Sequence, residues 1–289
     1  SELWEPFRGP PSPRRRRNLY KSVVGNQVIF EELNSDAGLL FRYRWSNSQR
    51  FGFARTSTLS NVGDRPATVS VLDGLVNVLP FGLDPSLYQR VSSLTNAYKR
   101  SEVVDPDTRL AVYSLEAHVD DQPEPAEVLT ASVAWSVGFD GARIALNHDL
   151  LESVQMGQKG EAAGLVTGRP GAYLLSGSAV LDPGEEETWL IVADVAQDQG
   201  QIAGLREFLR SSPDAGGEVA ASVRRGTESL VAIMARSDAL QRTGDRVATA
   251  HHFANLTYNV MRGSIFKDDC TLAIARLAHL LAALHLVLS

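Results

Sequence analysis

From Gln27 to about Val195 the chain keeps a two-residue rhythm. Successive side chains on an extended strand point to opposite faces, so such a segment can bury one face and leave the other wet. In 38–45, Leu39, Phe41, Tyr43 and Trp45 share one parity, and Arg42 and Arg44 share the other. Phe51, Phe53, Arg55, Ser57 and Leu59 continue the pattern. A turn cluster at Asn61-Val62-Gly63-Asp64-Arg65-Pro66 leads into 67–73, where Val69 and Val71 share a face. The spacing predicts that this segment is the hairpin partner of the preceding strand. Further strands are expected at 110–119, 128–137, 142–147, 173–181 and 187–195, with Asp140-Gly141 and Asp182-Pro183-Gly184 as turns. Many strands at short spacing, with no helices between them, call for a sandwich or barrel and not a parallel α/β sheet. The expected fold class is mainly β, a large antiparallel β-sandwich. Residues 84–107 read as helix or loop, a long connection across one sheet edge.

After Gln197 the period changes from two to that of a helix. Residues 202–209 predict one short helix. Val219, Val223, Leu230, Ile233 and Met234 then fall on one stripe, and 237–243 form a break. In 247–262, Val247, Ala250, Ala254, Tyr258 and Met261 share a face, while Phe253, Leu256 and Val260 share a second. His252, Asn255, Asn259 and Arg262 make a narrow polar strip between them, and His251 falls near the apolar face, where a buried histidine is expected. A helix apolar around most of its circumference expects neighbours on several sides. These late helices are therefore expected to dock against something outside this polypeptide. The last stretch, 271–289, is Ala- and Leu-rich and near membrane-spanning length, but Arg276, His279 and His285 are costly in a bilayer. A buried helix or an unstructured tail is expected there. The domain organisation that follows is a flexible basic leader at 1–17, a sandwich at 18–196, and a helical linker and tail at 197–289.

Composition narrows the function classes. A net charge of −6 argues against a general affinity for phosphate backbones or anionic membranes, so neither nucleic acid nor membrane is an expected partner. The lone Cys270 excludes an intramolecular disulfide and a multi-cysteine zinc site, and a reducing, cytoplasmic setting is the expectation. Arg14, Arg15, Arg16 and Arg17 follow a Pro-rich stretch with no interleaved aromatic residues, which reads as a solvated leader and not a single-strand binder.

Signatures of catalysis are scarce. There is no G-x-S-x-G elbow, P-loop, H-E-x-x-H or strand-following G-x-G-x-x-G. His251 and His252 are adjacent on a helix, about 100° apart, and cannot share one metal as an i, i+4 pair can. No metal or cofactor is expected. Glu31-Glu32, Asp120-Asp121, Glu185-Glu186-Glu187 and Asp268-Asp269 are carboxylate clusters, but glycoside chemistry needs two carboxylates at a set distance across the sugar, which adjacency does not supply. Flat rings match the apolar faces of pyranoses. Phe41-Arg42-Tyr43-Arg44-Trp45 offers rings and guanidinium donors together, with Phe41 and Tyr43 assigned to the core and Trp45 left between core and surface. The candidate carbohydrate-binding or domain-interface residues are Arg44, Trp45, His252, Asn255, Asn259 and Arg262.

The order of segments resembles the N-terminal part of glycosidic phosphorylases and related glycoside hydrolases of the cellobiose phosphorylase type. The strings that carry the likeness are Phe41-Arg42-Tyr43-Arg44-Trp45, Phe51-Gly52-Phe53-Ala54-Arg55-Thr56-Ser57-Thr58-Leu59, Leu72-Asp73-Gly74-Leu75, Glu187-Thr188-Trp189-Leu190-Ile191-Val192-Ala193-Asp194 and Asn255-Leu256-Thr257-Tyr258-Asn259-Val260-Met261-Arg262-Gly263. The resemblance implies a β-supersandwich, then a helical linker, then an (α/α)6-barrel that carries the catalytic carboxylate. Arg262-Gly263-Ser264-Ile265-Phe266 resembles the entry to that barrel, and the sequence from Cys270 onward does not, so a truncated chain is one expectation. No catalytic residue carries over. The function expected is a non-catalytic carbohydrate-binding or scaffolding sandwich of a carbohydrate-active protein. Its possible partners are an oligosaccharide, a helical catalytic domain or another subunit. The alternative is an assembly module that binds no sugar.

Overall fold

The computed structural model describes residues 3–10, 12–117, 129–238 and 241–262. Alternation governs the first part of the chain. β1 (Arg15–Lys21), β2 (Gln27–Asn34), β3 (Leu39–Ser48) and β4 (Gly52–Asn61) form one side of a nine-stranded antiparallel sheet. β12 (Glu186–Asp198), β8 (Thr130–Gly138), β7 (Leu110–Leu115), β6 (Lys99–Asp105) and β10 (Leu165–Thr167) continue it beyond β4 in that order. β5 (Ala67–Val78), β11 (Gly171–Leu181) and β9 (Arg143–Ala145) form a second, three-stranded sheet.

The two sheets face each other. Leu39 and Phe41 of β3, Leu59 of β4, Trp189 and Ile191 of β12 and Tyr113 of β7 share one buried cluster with Leu175, Ala179 and Leu181 of β11. Val69 and Val71 of β5 pack against that cluster. Phe41 and Tyr43 thus belong to the core, as their parity implied.

One strand pairing differs from expectation. β5 does not form a hairpin with β4; it pairs with β11 in the other sheet, with Val69 opposite Ala179 and Val71 opposite Gly177. The free edge of β4 is taken by β12, with Thr58 opposite Thr188. Alternation fixes which side chains face inward but not which edge a strand joins, so residues 62–66 carry the chain between layers. The 84–107 segment also differs. It holds α1 (Pro85–Arg90) and α2 (Ser92–Ala97) and then β6, whose polar string Lys99-Arg100-Ser101-Glu102 hid a strand buried by pairing on both edges.

Between the sheets lies one ionic knot. Asp73 of β5 meets the Arg55 guanidinium at 2.7 Å, and both side chains are almost fully covered. Ser57 Oγ donates to the same carboxylate at 3.0 Å and the Trp189 indole N–H at 2.7 Å. The Arg55 guanidinium also lies over the Tyr43 ring, 4.6 Å from its centroid.

The outer face of the large sheet is covered by the chain's own helices. Ala54, Leu110, Val133, Trp135, Leu190 and Val192 pack against Ala215, Val219 and Val223 and against Ile202, Leu205, Phe208 and Leu209. Those residues come from α4 (Gln199–Ser211) and the first half of α5 (Ala215–Asp238). The expectation that the late helices dock outside this polypeptide is therefore corrected for α4 and early α5. Asp105, the last residue of β6, clamps α4. It accepts from Arg206 Nε at 2.8 Å and pairs with Arg210 Nε at 2.7 Å. α3 (Asp149–Gln155) in turn covers the outer face of the small sheet, with Leu150, Leu151 and Val154 against Ala172 and Leu174.

The N-terminus is also corrected. Arg15 opens β1, and Arg17 Nε donates to Glu32 Oε2 at 2.6 Å. Glu32 is wholly buried and accepts from the Trp4 indole at 2.9 Å and the Phe7 backbone N–H at 2.7 Å as well. Burial alone would raise this carboxyl, but the three donors outweigh it and hold it below its usual range. The arginine run thus ends in a structural anchor and not in a solvated leader.

The described residues form two compact units, 3–20 with Val28–Val223, and Lys21–Gln27 with 224–262. In the second unit the β1–β2 turn, late α5 and α6 (Arg246–Met261) come together. Asn26 Nδ2 donates to Thr227 Oγ1 at 2.7 Å, and Thr257 Oγ1 meets Met234 Sδ at 3.4 Å. The buried face of α6 is Thr249 and Phe253, with Leu256 and Val260 half-buried. The row Val247, Tyr258 and Met261 is 63%, 60% and 80% exposed. Of the two apolar faces read from periodicity, the one with Val247, Tyr258 and Met261 is the outward one, and His251 is exposed instead of buried. The stretch 271–289 lies outside the described residues.

Two outcomes follow from these contacts. Asp73→Ala leaves the Arg55 charge buried without a partner and lowers unfolding stability by about 3–5 kcal/mol in denaturant titration, whereas Asp73→Leu combined with Arg55→Met recovers much of that loss. The Arg206 hydrogen bond, first, and that of Arg210 lower the Asp105 carboxyl from 3.8 to about 2. Its contribution is present above about pH 4 and vanishes as pH falls through about 2. Asp105→Asn should therefore melt below the wild type at pH 7, with the gap closing between those two pH values.

Candidate functional site

Beyond β9 the chain turns at Asn147-His148 into α3, packs that helix on the small sheet and returns through 157–164 to β10. One side chain bonds the return twice. Asn147 Nδ2 donates to the Glu161 carbonyl at 3.0 Å, and its Oδ1 accepts from the Ala163 N–H at 2.9 Å. Asp149 and Glu152 sit in the first turn of α3, where a helix favours negative charge. Arg169, just before β11, reaches back to Asp149 Oδ2 at 3.0 Å. His148 Nε2 accepts from the backbone N–H of Asn77 at 3.4 Å, and Asn77 holds a left-handed φ of 56°, which asparagine tolerates better than most residues.

These pieces enclose an open basin of about 870 Å³. Asn77, Asn147, His148, Glu152, Glu161, Thr167 and Arg169 supply its polar wall, and Ala162, Ala163, Leu165, Val166 and Pro170 its apolar one. The carboxylates and amides offer acceptors in pairs, Arg169 offers a planar set of donors, and the small apolar patch matches a C–H face. Such a wall is chemically suited to a neutral ligand dense in hydroxyl groups. Among the described residues no group of three or more His, Cys, Asp or Glu is placed to hold a metal ion. Among the same residues no helix is long and apolar enough to cross a membrane.

The residues singled out from sequence lie elsewhere. Arg44 and Trp45 are consecutive on β3 and face opposite sides of the sheet, so they do not form one surface. Arg44 is exposed, and Trp45 is half-buried opposite Arg55. His252, Asn255, Asn259 and Arg262 do fall along one side of α6, with His252 half-buried and the other three exposed. Arg262 lies over the Tyr258 ring, 5.3 Å from its centroid. Sequence reasoning missed the basin. The signal available was Asn147-His148-Asp149, a polar cluster that ends a strand and opens a helix with acidic residues in its first turn.

No protein-family model matches the chain, and no curated protein matches it. Solved structures that it resembles include a protein described as a kojibiose phosphorylase from the human microbiome, at 10% identity and a TM-score of 0.42, covering 81% of this chain and 26% of that one. Heparinase III is similar at 12% identity and a TM-score of 0.33, covering 64% of this chain and 22% of that one. A GH36 α-galactosidase from Geobacillus stearothermophilus is 13% identical at a TM-score of 0.27, covering 60% and 24%. These neighbours are carbohydrate-active enzymes, and the chain spans about a quarter of their length.

Asn147→Ala removes both side-chain bonds to the return loop and leaves its backbone bonds from Leu146 and Val103 in place. Hydrogen exchange followed by mass spectrometry should show faster exchange at the Ala163 amide, which loses its acceptor, with β11 unchanged.

Proposed function

We propose that this chain is a non-catalytic, carbohydrate-binding sandwich portion of a carbohydrate-active protein, and that the α3 basin is where it meets sugar. The observation that carries the reading is the basin itself, an open hollow of about 870 Å³ whose wall combines carboxylate, amide, hydroxyl and guanidinium groups with a small apolar patch. Vicinal hydroxyls both donate and accept, so they pair well with carboxylate oxygens on one side and guanidinium N–H groups on the other. The resemblance of the chain's segment order to phosphorylases of the cellobiose phosphorylase type favours the same ligand class. One cysteine in 289 residues favours a cytoplasmic setting for this role.

A second reading, an assembly module that binds no sugar, is favoured by one observation. The exposed row Val247, Tyr258 and Met261 on α6 is an apolar stripe of the kind that meets a partner helix, such as that of a helical catalytic domain or another subunit.

Titration calorimetry with cello-, laminari- and β-1,2-linked oligosaccharides separates the two. The sugar reading expects saturable heats with a Kd in the millimolar range, a binding free energy of about −4 kcal/mol. A Glu152→Ala, Glu161→Ala double variant should remove those heats while its melting temperature holds. Absence of heat with every sugar in the wild type leaves the assembly reading alone.

A further inference from the structure

On the other face of the large sheet, the chain departs from its local rules at two neighbouring places. β12 carries a bulge against β8 between Asp194 and Gln197, and Ala196 within it adopts a left-handed φ of 58°. Facing it, Gly204 stands in the interior of α4, where glycine is the poorest ordinary helix former. A side chain added at Gly204 would meet nothing within 4 Å, so no packing demand explains the glycine. Bulges re-aim side chains, and strain of this kind gathers at sites of function.

The bulge and the glycine border one hollow of about 270 Å³, lined by Arg50, Phe51, Trp135, Asp194, Gln197, Gln201, Gly204 and Leu205. Asp194 accepts from the Val195 N–H at 2.8 Å and from Gln197 Nε2 at 3.2 Å, and it forms no ion pair among the described residues. Burial raises its carboxyl above the usual range. Gly52 lets β4 approach it, since a Cβ there would stand 2.7 Å from Asp194 Oδ1. Arg50 is also without an ion pair among the described residues. Its guanidinium lies 4.8 Å from the Phe51 ring centroid and 5.0 Å from that of Phe208. The turn that carries it is held in place, with the Arg50 N–H donating to Ser222 Oγ at 3.0 Å. One carboxylate and one guanidinium therefore border the same small space without pairing to each other, beside Leu205 and over the almost wholly buried Phe51 and Trp135.

We infer that this hollow is a second binding site, taking a single neutral sugar ring. Asp194 accepts a pair of adjacent hydroxyls, and Arg50, whose guanidinium is held against the Phe51 and Phe208 rings, donates to the ring's other oxygens. The balanced charge disfavours an anionic or cationic ligand, and the volume admits one ring and not a chain. The ligand class rests on the carbohydrate reading above, while the site is independent of the α3 basin.

The test is nitrogen-15 NMR titration of the whole chain with D-glucose and D-galactose, with L-glutamate as a charged control. Saturable shifts at the Gln197 and Gln201 side-chain amides and the Gly204 backbone amide are expected with a hexose and not with glutamate. Asp194→Asn should weaken the hexose by about tenfold. Gly204→Gln fills the mouth from an open helix surface, so it should abolish the shifts while the melting temperature holds or rises. Shifts that persist unchanged in both variants, or no saturable shift at these amides in the wild type, overturn this site. If oligosaccharide heats are then lost in the Glu152 and Glu161 variant, the carbohydrate reading survives without it. If neither hollow responds to any sugar, both fall.

Discussion

Two sheets can stack only where polar groups trapped between them are matched, and in this sandwich that condition falls on Asp73. Its carboxylate belongs to the small sheet, and its partners, Arg55, Ser57 and the Trp189 indole, all belong to the large one. Hydrophobic contact alone would let the layers slide, since burial is non-directional. A buried carboxylate with three fixed donors sets a single alignment. It ties β5 to β4 and β12, while Tyr113 donating to the Ala172 carbonyl and Asn61 donating to the Leu181 carbonyl tie β11 to the same large sheet. Its use here is alignment more than net stability, because desolvation takes back much of what the charges gain.

The helices show the complementary strategy. α4 is tied by its own cap, where Asp198 and Gln201 bond each other's backbone, and by the Asp105 carboxylate at the end of β6. Arg206 and Arg210 stand four residues apart, so one acid meets both from the same side of the helix. With α4 and early α5 in place, β8 is covered on both faces, and its stretch from Ala131 to Ser136 is buried throughout. The two hollows sit at the margins of this coverage, one where α3 stops short of the β9–β10 return and one where α4 carries a glycine.

Much of the fold was legible because strands such as β3 alternate between covered and exposed side chains. β3, β4, β11 and β12 were readable from parity, and α4, α5 and α6 from the change of period. What parity could not give was partnership. Val69 and Val71 alternate equally well beside β4 or beside β11, so the partner follows from contacts that parity does not contain, those of Asp73 among them. β6 was hidden because Lys99, Arg100, Ser101 and Glu102 are polar, and its burial comes from neighbouring strands and not from its own residues. On α6, periodicity found two apolar faces but could not rank them. The site was less legible still, since the basin is made by a loop folded back on the Asn147 amide and on backbone bonds from Leu146 and Val103, and no spacing in the chain encodes that return.

The ladder between β4 and β12 joins residues such as Thr58 and Thr188, which are 130 positions apart. The strands β1 to β4 are complete long before their neighbour exists, whether the chain is emerging from a ribosome or refolding from denaturant. Over that interval β4 presents an unpaired edge, and pairing with another chain competes with waiting. Closure of so long a loop also slows the productive step, because its entropy must be spent before the contact forms. The centre of the finished sheet is thus its last seam to close, and yield on folding is governed by how long that edge stays open.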